Sequence, residues 1–187
     1  MEQLRTFVAV ELPEDIKKEL SHLQQELASP DVDAKWVSKE NIHLTLKFLG
    51  GVPSNKIAEI GRALRECLEG EEAFFFVLSG LGAFPSPSRP KVVWIGIEEG
   101  KERLRRIAQK IEAALEKIGF SKEKRGFSAH VTLSRIRREK KPKELEKKIE
   151  SKDYSSHPIR VSRIALMKSD LTPEGPIYSK LDEVRLA

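Results

Sequence analysis

Apolar positions recur along this chain in two periods, near 2 and near 3.6, and their alternation lays out the elements. An apolar run over 4–12 predicts a first strand. Ile16, Leu20, Leu23 and Leu27 then fall at helical spacing. Pro13 opens that helix where a missing N–H costs little, Glu14 and Asp15 occupy the acidic first turn, and Ser29-Pro30-Asp31 ends it. A short strand over 35–37 and a turn over 38–41 precede a second apolar strand over 42–49, closed by Gly50-Gly51. Ile57, Ile60, Leu64 and Leu68 mark a helix over 53–69. Strands are predicted over 73–84 and 91–97, with the proline-rich 85–90 as a stiff loop between them. A third helix over 101–118 turns Leu104, Ile107, Ile111 and Leu115 inward and stops at Gly119. The chain finishes with a strand over 127–136, a short charged helix over 142–151 and a closing pair of strands over 158–168 and 176–184.

Two of these strands carry the same polar interruption: His43-Leu44-Thr45-Leu46 and His130-Val131-Thr132-Leu133. Side chains alternate faces along a strand, so each His and Thr share one face while the apolar residues take the other. With four His and four Thr in 187 residues, chance supplies about 0.09 His-x-Thr occurrences, and this chain has two. Hydrogen-bonded strand histidines with no chemical role are therefore the weaker reading. By the same alternation Lys47 continues the His43–Thr45 face, within reach of a bound phosphate or as a solvated strand-end lysine, and Phe48 belongs to the core. Trp36 and Trp94 sit in apolar strands and read as core more than as stacking platforms. His22 and His157 have no Thr two residues on and take no catalytic role.

The tetrads belong to a longer repeat. Phe7-Val-Ala-Val-Glu11 precedes His43 as Trp94-Ile-Gly-Ile-Glu98 precedes His130, with a common offset of 87 residues. The helices between align with a one-residue slip. The internal repeat spans about 4–51 and 91–138 inside a single domain, 1–187. An α+β, bilobal duplicated fold is expected: two mixed or antiparallel sheets with outer helices, facing each other across a central cleft that holds both tetrads.

Composition narrows the chemistry. The balance of 34 basic against 29 acidic residues, net +5, suits an anionic substrate or modest nucleic-acid contact. A single cysteine, Cys67, excludes an internal disulfide framework and a multi-Cys zinc site, and two His without a third ligand at ordinary spacing fit a metal poorly. No apolar run reaches the length of a membrane span and no charged-then-apolar leader precedes Phe7, so a soluble, cytoplasmic protein is expected; a monomer is the expected state. There is no P-loop and no carboxylate cluster for catalytic magnesium. Two imidazoles in one cleft instead supply a general acid and a general base near neutral pH, and threonine hydroxyls beside them suit phosphate oxygens. Metal-free, cofactor-free phosphodiester chemistry is the natural class. On which His is acid and which base the sequence is symmetric.

The paired tetrads, Arg5-Thr-Phe-Val-Ala-Val10, Asn41-Ile-His-Leu-Thr-Leu-Lys-Phe-Leu-Gly50 and 82–97 resemble the two-histidine (2H) phosphoesterase superfamily, and within it the RNA 2′,3′-cyclic phosphodiesterases, also called 2′-5′ RNA ligases. The resemblance implies RNA ends bearing a 2′,3′-cyclic phosphate as substrate and a 2′-phosphomonoester as product. It implies His43 as general acid, His130 as general base, and Thr45 and Thr132 as holders of the non-bridging oxygens. Arg135 resembles the arginine after the family's second motif and would bind phosphate. Simple alternation puts Arg135 opposite His130, so that role needs a twist or bulge in the strand. Ligation of tRNA halves, the reverse reaction, and RNA binding without turnover are the alternatives.

Overall fold

The structure, a computed structural model, describes residues 2–30, 32–139 and 142–187; Asp31, part of the first helix's expected stop signal, lies outside them. In chain order the elements are β1 (Gln3–Glu11), α1 (Glu14–Leu27), β2 (Val32–Trp36), β3 (His43–Pro53), α2 (Ile57–Leu68), β4 (Phe74–Phe76), β5 (Leu78–Ser86), β6 (Arg89–Ile97), α3 (Lys101–Lys117), β7 (His130–Glu139), α4 (Lys143–Ser151), β8 (Ile159–Val161), β9 (Arg163–Leu171) and β10 (Pro176–Arg185). The fold is α+β and its described strand pairs are all antiparallel.

The large sheet runs β10-β9-β1-β3-β7-β6-β5, with β2 also on β7. Its two halves meet where β3 and β7, the two tetrad strands, touch. One residue pair, Leu44 and Val131, bridges them. Both side chains are fully buried in the main core, among the apolar faces of the helices. The helix of each repeat packs on the tetrad strand of the other, α1 on β7 and α3 on β3. β2 crosses in the same sense, pairing with β7 of the second repeat although it belongs to the first.

Several boundaries differ from the sequence pattern: β3 runs through Gly50-Gly51, expected to close it, and stays paired with β1 to Pro53, which delays the second helix to Ile57. The strand expected over 73–84 divides at Val77, whose N–H and carbonyl bond Glu99 and Glu98, so that β4 leaves to pair with β8 in a separate two-stranded sheet. The strand expected over 158–168 divides at Ser162 for the same reason, β8 turning to β4 and β9 to β1 and β10. The proline-rich 85–90 is the end of a hairpin, with Pro85 opposite Pro90. Proline is tolerated there because β5 is the outer strand and Pro90 lies beyond Val92, the last β6 residue paired with β7 in that direction. None of the described helices is long and apolar enough to cross a membrane.

Candidate functional site

His43 and His130 each begin a tetrad strand, and the seam between those strands fixes how the tetrads meet. In the antiparallel register set by Leu44–Val131, one step to either side puts His43 opposite Thr132 and Thr45 opposite His130. Leu44 and Val131 point into the helix-side core, so the four polar residues project from the other face of the sheet, where all four are half-buried. The two imidazoles occupy one diagonal of this square and the two hydroxyls the other. Diagonal neighbours in an antiparallel pair lie about 7–8 Å apart, room for one tetrahedral group between them.

The protonation of each ring follows from its hydrogen bonds. His43 Nδ1 donates to the Asn41 carbonyl at 2.7 Å, and His130 Nδ1 donates to the Ser128 carbonyl at 2.8 Å. A carbonyl only accepts, so Nδ1 keeps its proton and Nε2 is the working atom of both neutral rings. The Thr45 hydroxyl donates to His43 Nε2 at 2.9 Å. Burial holds the His43 pKa below the ordinary imidazole value, against the pull of the Asn41 carbonyl and with help from the nearby Lys17 charge. His130 is lowered too, by burial first and by the Arg135 charge, with the Ser128 carbonyl opposing.

Aromatic rings bracket both histidines. Phe7 lies 4.8 Å from the His43 ring centroid, and Tyr178 meets it edge-on at 5.3 Å. In the other half Phe84 meets His130 edge-on at 5.2 Å, with Trp94 at 6.3 Å. Trp94, expected in the core, therefore belongs to the open face. It lies over Gly82, where an added Cβ would collide with the indole. Phe7 and Trp94 stand at the repeat offset of 87, so the duplicated strands carried a signal for both; nothing in the sequence marked Tyr178. Its hydroxyl is held protonated by burial, with Arg135 and Arg5 opposing.

Beyond each threonine the pleat is broken. β1 counts Val8 opposite Lys47 and Ala9 opposite Thr45, so Leu46 is one residue too many in β3. β6 counts Val93 opposite Ser134 and Trp94 opposite Thr132, so Leu133 is the extra residue in β7. A bulge sends two successive side chains to one side. Leu46 and Lys47 both go to the helix side, as do Leu133 and Ser134, and all four are buried.

The expectation that Lys47 shares the His43–Thr45 face is thereby overturned. Its ammonium, on a residue only 2% exposed, bonds Glu112 at 2.8 Å and the Ser121 carbonyl at 2.9 Å behind the sheet. Phe48, expected in the core, comes to the open face and is 56% exposed. The same shift restores Arg135 to the face of His130, which removes the objection that alternation raised. His22 is exposed on α1, and His157 is exposed beside Asp15 at 3.0 Å, both away from the tetrads.

The family model for LigT like Phosphoesterase matches twice in succession, over residues 10–94 and 95–178. An RNA 2′,3′-cyclic phosphodiesterase of Thermotoga maritima is 38% identical over 96% of this chain and 94% of its own length. Another, from Aeropyrum pernix, is 43% identical over 90% of this chain and 95% of its own length. Among solved structures, a Thermus thermophilus protein superposes with a TM-score of 0.81 at 27% identity, covering 97% of both chains. E. coli LigT complexed with 3′-AMP has the same fold, with a TM-score of 0.80 at 24% identity over 100% of this chain and 99% of its own. Matched in both halves and alike along nearly its whole length to these relatives, the chain belongs to the LigT-like phosphoesterase family.

Proposed function

We propose that this chain hydrolyses 2′,3′-cyclic phosphate ends of RNA to 2′-phosphomonoesters, without a metal or cofactor, by paired imidazole acid–base catalysis. The observation that carries the reading is the diagonal of the square. A phosphorus atom at its centre has one Nε2 on each of two opposite sides, the arrangement an in-line displacement needs. His130 Nε2 accepts the proton of the attacking water. His43, protonated at Nε2, gives its proton to the departing 3′ oxygen. The Thr45 and Thr132 hydroxyls, on the other diagonal, donate to the non-bridging oxygens, and the Arg135 guanidinium offsets the charge that accumulates on them. The name shared by the T. maritima and A. pernix relatives supports this substrate class. Both halves of the site come from one chain, so we take it to act as a monomer and as a single domain. Cleaved RNA is its source of substrate, and the cytoplasm is where we expect it to meet that RNA.

The test is hydrolysis of an oligoribonucleotide ending in a 2′,3′-cyclic phosphate, in excess EDTA, with the product read by phosphorus NMR. Full activity and a 2′-phosphate are expected. A 3′-phosphate would reverse the leaving group, and EDTA sensitivity would overturn the metal-free mechanism.

The lowered imidazoles also set the pH dependence. The free enzyme works with His130 neutral and His43 protonated. Rate is lost on the acid side as His130 takes up a proton, and on the alkaline side as His43 gives one up. Because both rings titrate below the ordinary value of about 6.5, the kcat/KM profile is expected to peak on the acid side of neutrality. A bound phosphodiester anion favours the imidazolium, so the alkaline limb of kcat should lie at higher pH than that of kcat/KM. A kcat/KM optimum above about pH 7.5 would contradict the assignment.

A further inference from the structure

The Leu133 bulge brings Arg135 to the working face, and a bulge leaves ladder groups without partners that a regular strand would pair. The carbonyl of the extra residue, Leu133, faces β2, on the edge of β7 away from β6. It accepts the Val37 N–H at 2.9 Å and, on its other lone pair, the Gln24 side-chain amide at 2.8 Å. The same Gln24 nitrogen donates to the Val37 carbonyl at 2.9 Å. Gln24 is 6% exposed on α1, a helix otherwise buried through Ile16, Leu20, Leu23 and Leu27. Its amide thus ties the residue after β2 and the extra residue of β7 to α1, a helix of the repeat opposite to β7. Without that donor a strand lacking the extra residue competes better, and alternation would then turn Arg135 to the helix side.

The first repeat holds its bulge from the corresponding place. Lys47 and Ser134 differ by the repeat offset of 87, and Glu112 stands at the offset from Gln24 with the one-residue slip of the helices. Glu112 of α3 bonds Lys47 at the second residue of the Leu46 bulge, and its other oxygen accepts the Glu123 N–H at 2.8 Å. One polar side chain from the opposite repeat's helix grips each tetrad strand just past its threonine. A solubilising role does not explain two polar residues turned inward at matched positions.

We propose that Gln24 is a positioning residue for the reaction: it holds the Leu133 bulge and so keeps Arg135 turned toward the phosphate. The proposal rests on the reading of the open face as a phosphodiester site. The test compares Gln24→Met, which keeps the length and removes the donor, with Arg135→Ala and with the double variant, at a temperature where circular dichroism shows each folded. Gln24→Met is expected to raise KM for the cyclic phosphate about tenfold with kcat within about twofold, and to add nothing in the Arg135→Ala background. Gln24→Asn, polar but one methylene short of the carbonyls, should raise KM similarly and stands in if the Met variant does not fold.

An unchanged KM in folded Gln24→Met, or effects of Gln24→Met and Arg135→Ala that multiply, would overturn the role. Calorimetric titration of inorganic phosphate follows the same variants without turnover. A wild type that binds phosphate but cleaves no cyclic phosphate would sink the functional reading and not the clamp, and equal phosphate affinity in wild type and Gln24→Met would sink the clamp.

Discussion

Alanine in place of His130 is expected to lower kcat for cyclic phosphate hydrolysis by about 10³-fold, and His43→Ala by a similar factor. Each substitution deletes one proton transfer and leaves the hydroxyls and Arg135 in place, so KM should change little. The double variant should be far less than multiplicatively worse, since the two imidazoles serve one displacement. The leaving group separates their roles. An acyclic diester that expels p-nitrophenolate needs no proton on the departing oxygen, so His43→Ala should recover most of its activity on it while His130→Ala stays slow. Recovery in His130→Ala instead would exchange acid and base, and a loss below about tenfold in either variant would remove that ring from the chemistry.

Glu112→Ala is expected to cost about 3 kcal/mol of stability by denaturant unfolding. Lys47 is almost fully buried and its ammonium rests on Glu112 and one carbonyl, so removing the carboxylate strands a charge behind the sheet. Lys47→Met should be much milder, within about 1 kcal/mol, because Glu112 is partly exposed, at 21% of its side chain, and keeps the Glu123 N–H. The same variant should retain kcat/KM within a few fold. A folded Lys47→Met protein that lost phosphate binding would restore the role that strand alternation suggested for this lysine.

The sequence carried the elements, the duplication and the four tetrad residues because each rests on periodicity or on a motif repeated at a fixed offset. Lys47, Phe48 and Arg135 show where such reasoning stops. Alternation assigns a face only while every residue of a strand is paired; the extra residue, Leu46 in β3 and Leu133 in β7, exchanges the faces just beyond it, and each strand carries a second irregularity further on, at Leu49 and at Arg137. The bulge residues, Leu-Lys and Leu-Ser, have no composition of their own to announce it. Trp94 was misplaced for another reason. An aromatic in an apolar strand suits either face, and only Gly82 on the neighbouring strand, with no side chain to exclude the indole, shows which one is open to it. The crossing of β2 to β7 was illegible because pairing partners distant in sequence leave no local mark.

That crossing, with α1 on β7 and α3 on β3, means the two repeats are not two modules set side by side. Each half borrows the frame of its working strand from the other. A duplicated gene built this way cannot be cut at its midpoint into self-sufficient pieces, and its halves cannot drift apart independently. A change in one repeat's helix is felt at the other repeat's histidine strand, and the halves nonetheless differ at matched places: Gln24 against Glu112, Ser134 against Lys47, Arg135 against Phe48. The matched pair Phe48 and Arg135, a phenyl ring in one half and a guanidinium in the other, makes the two sides of a nearly symmetric frame unlike.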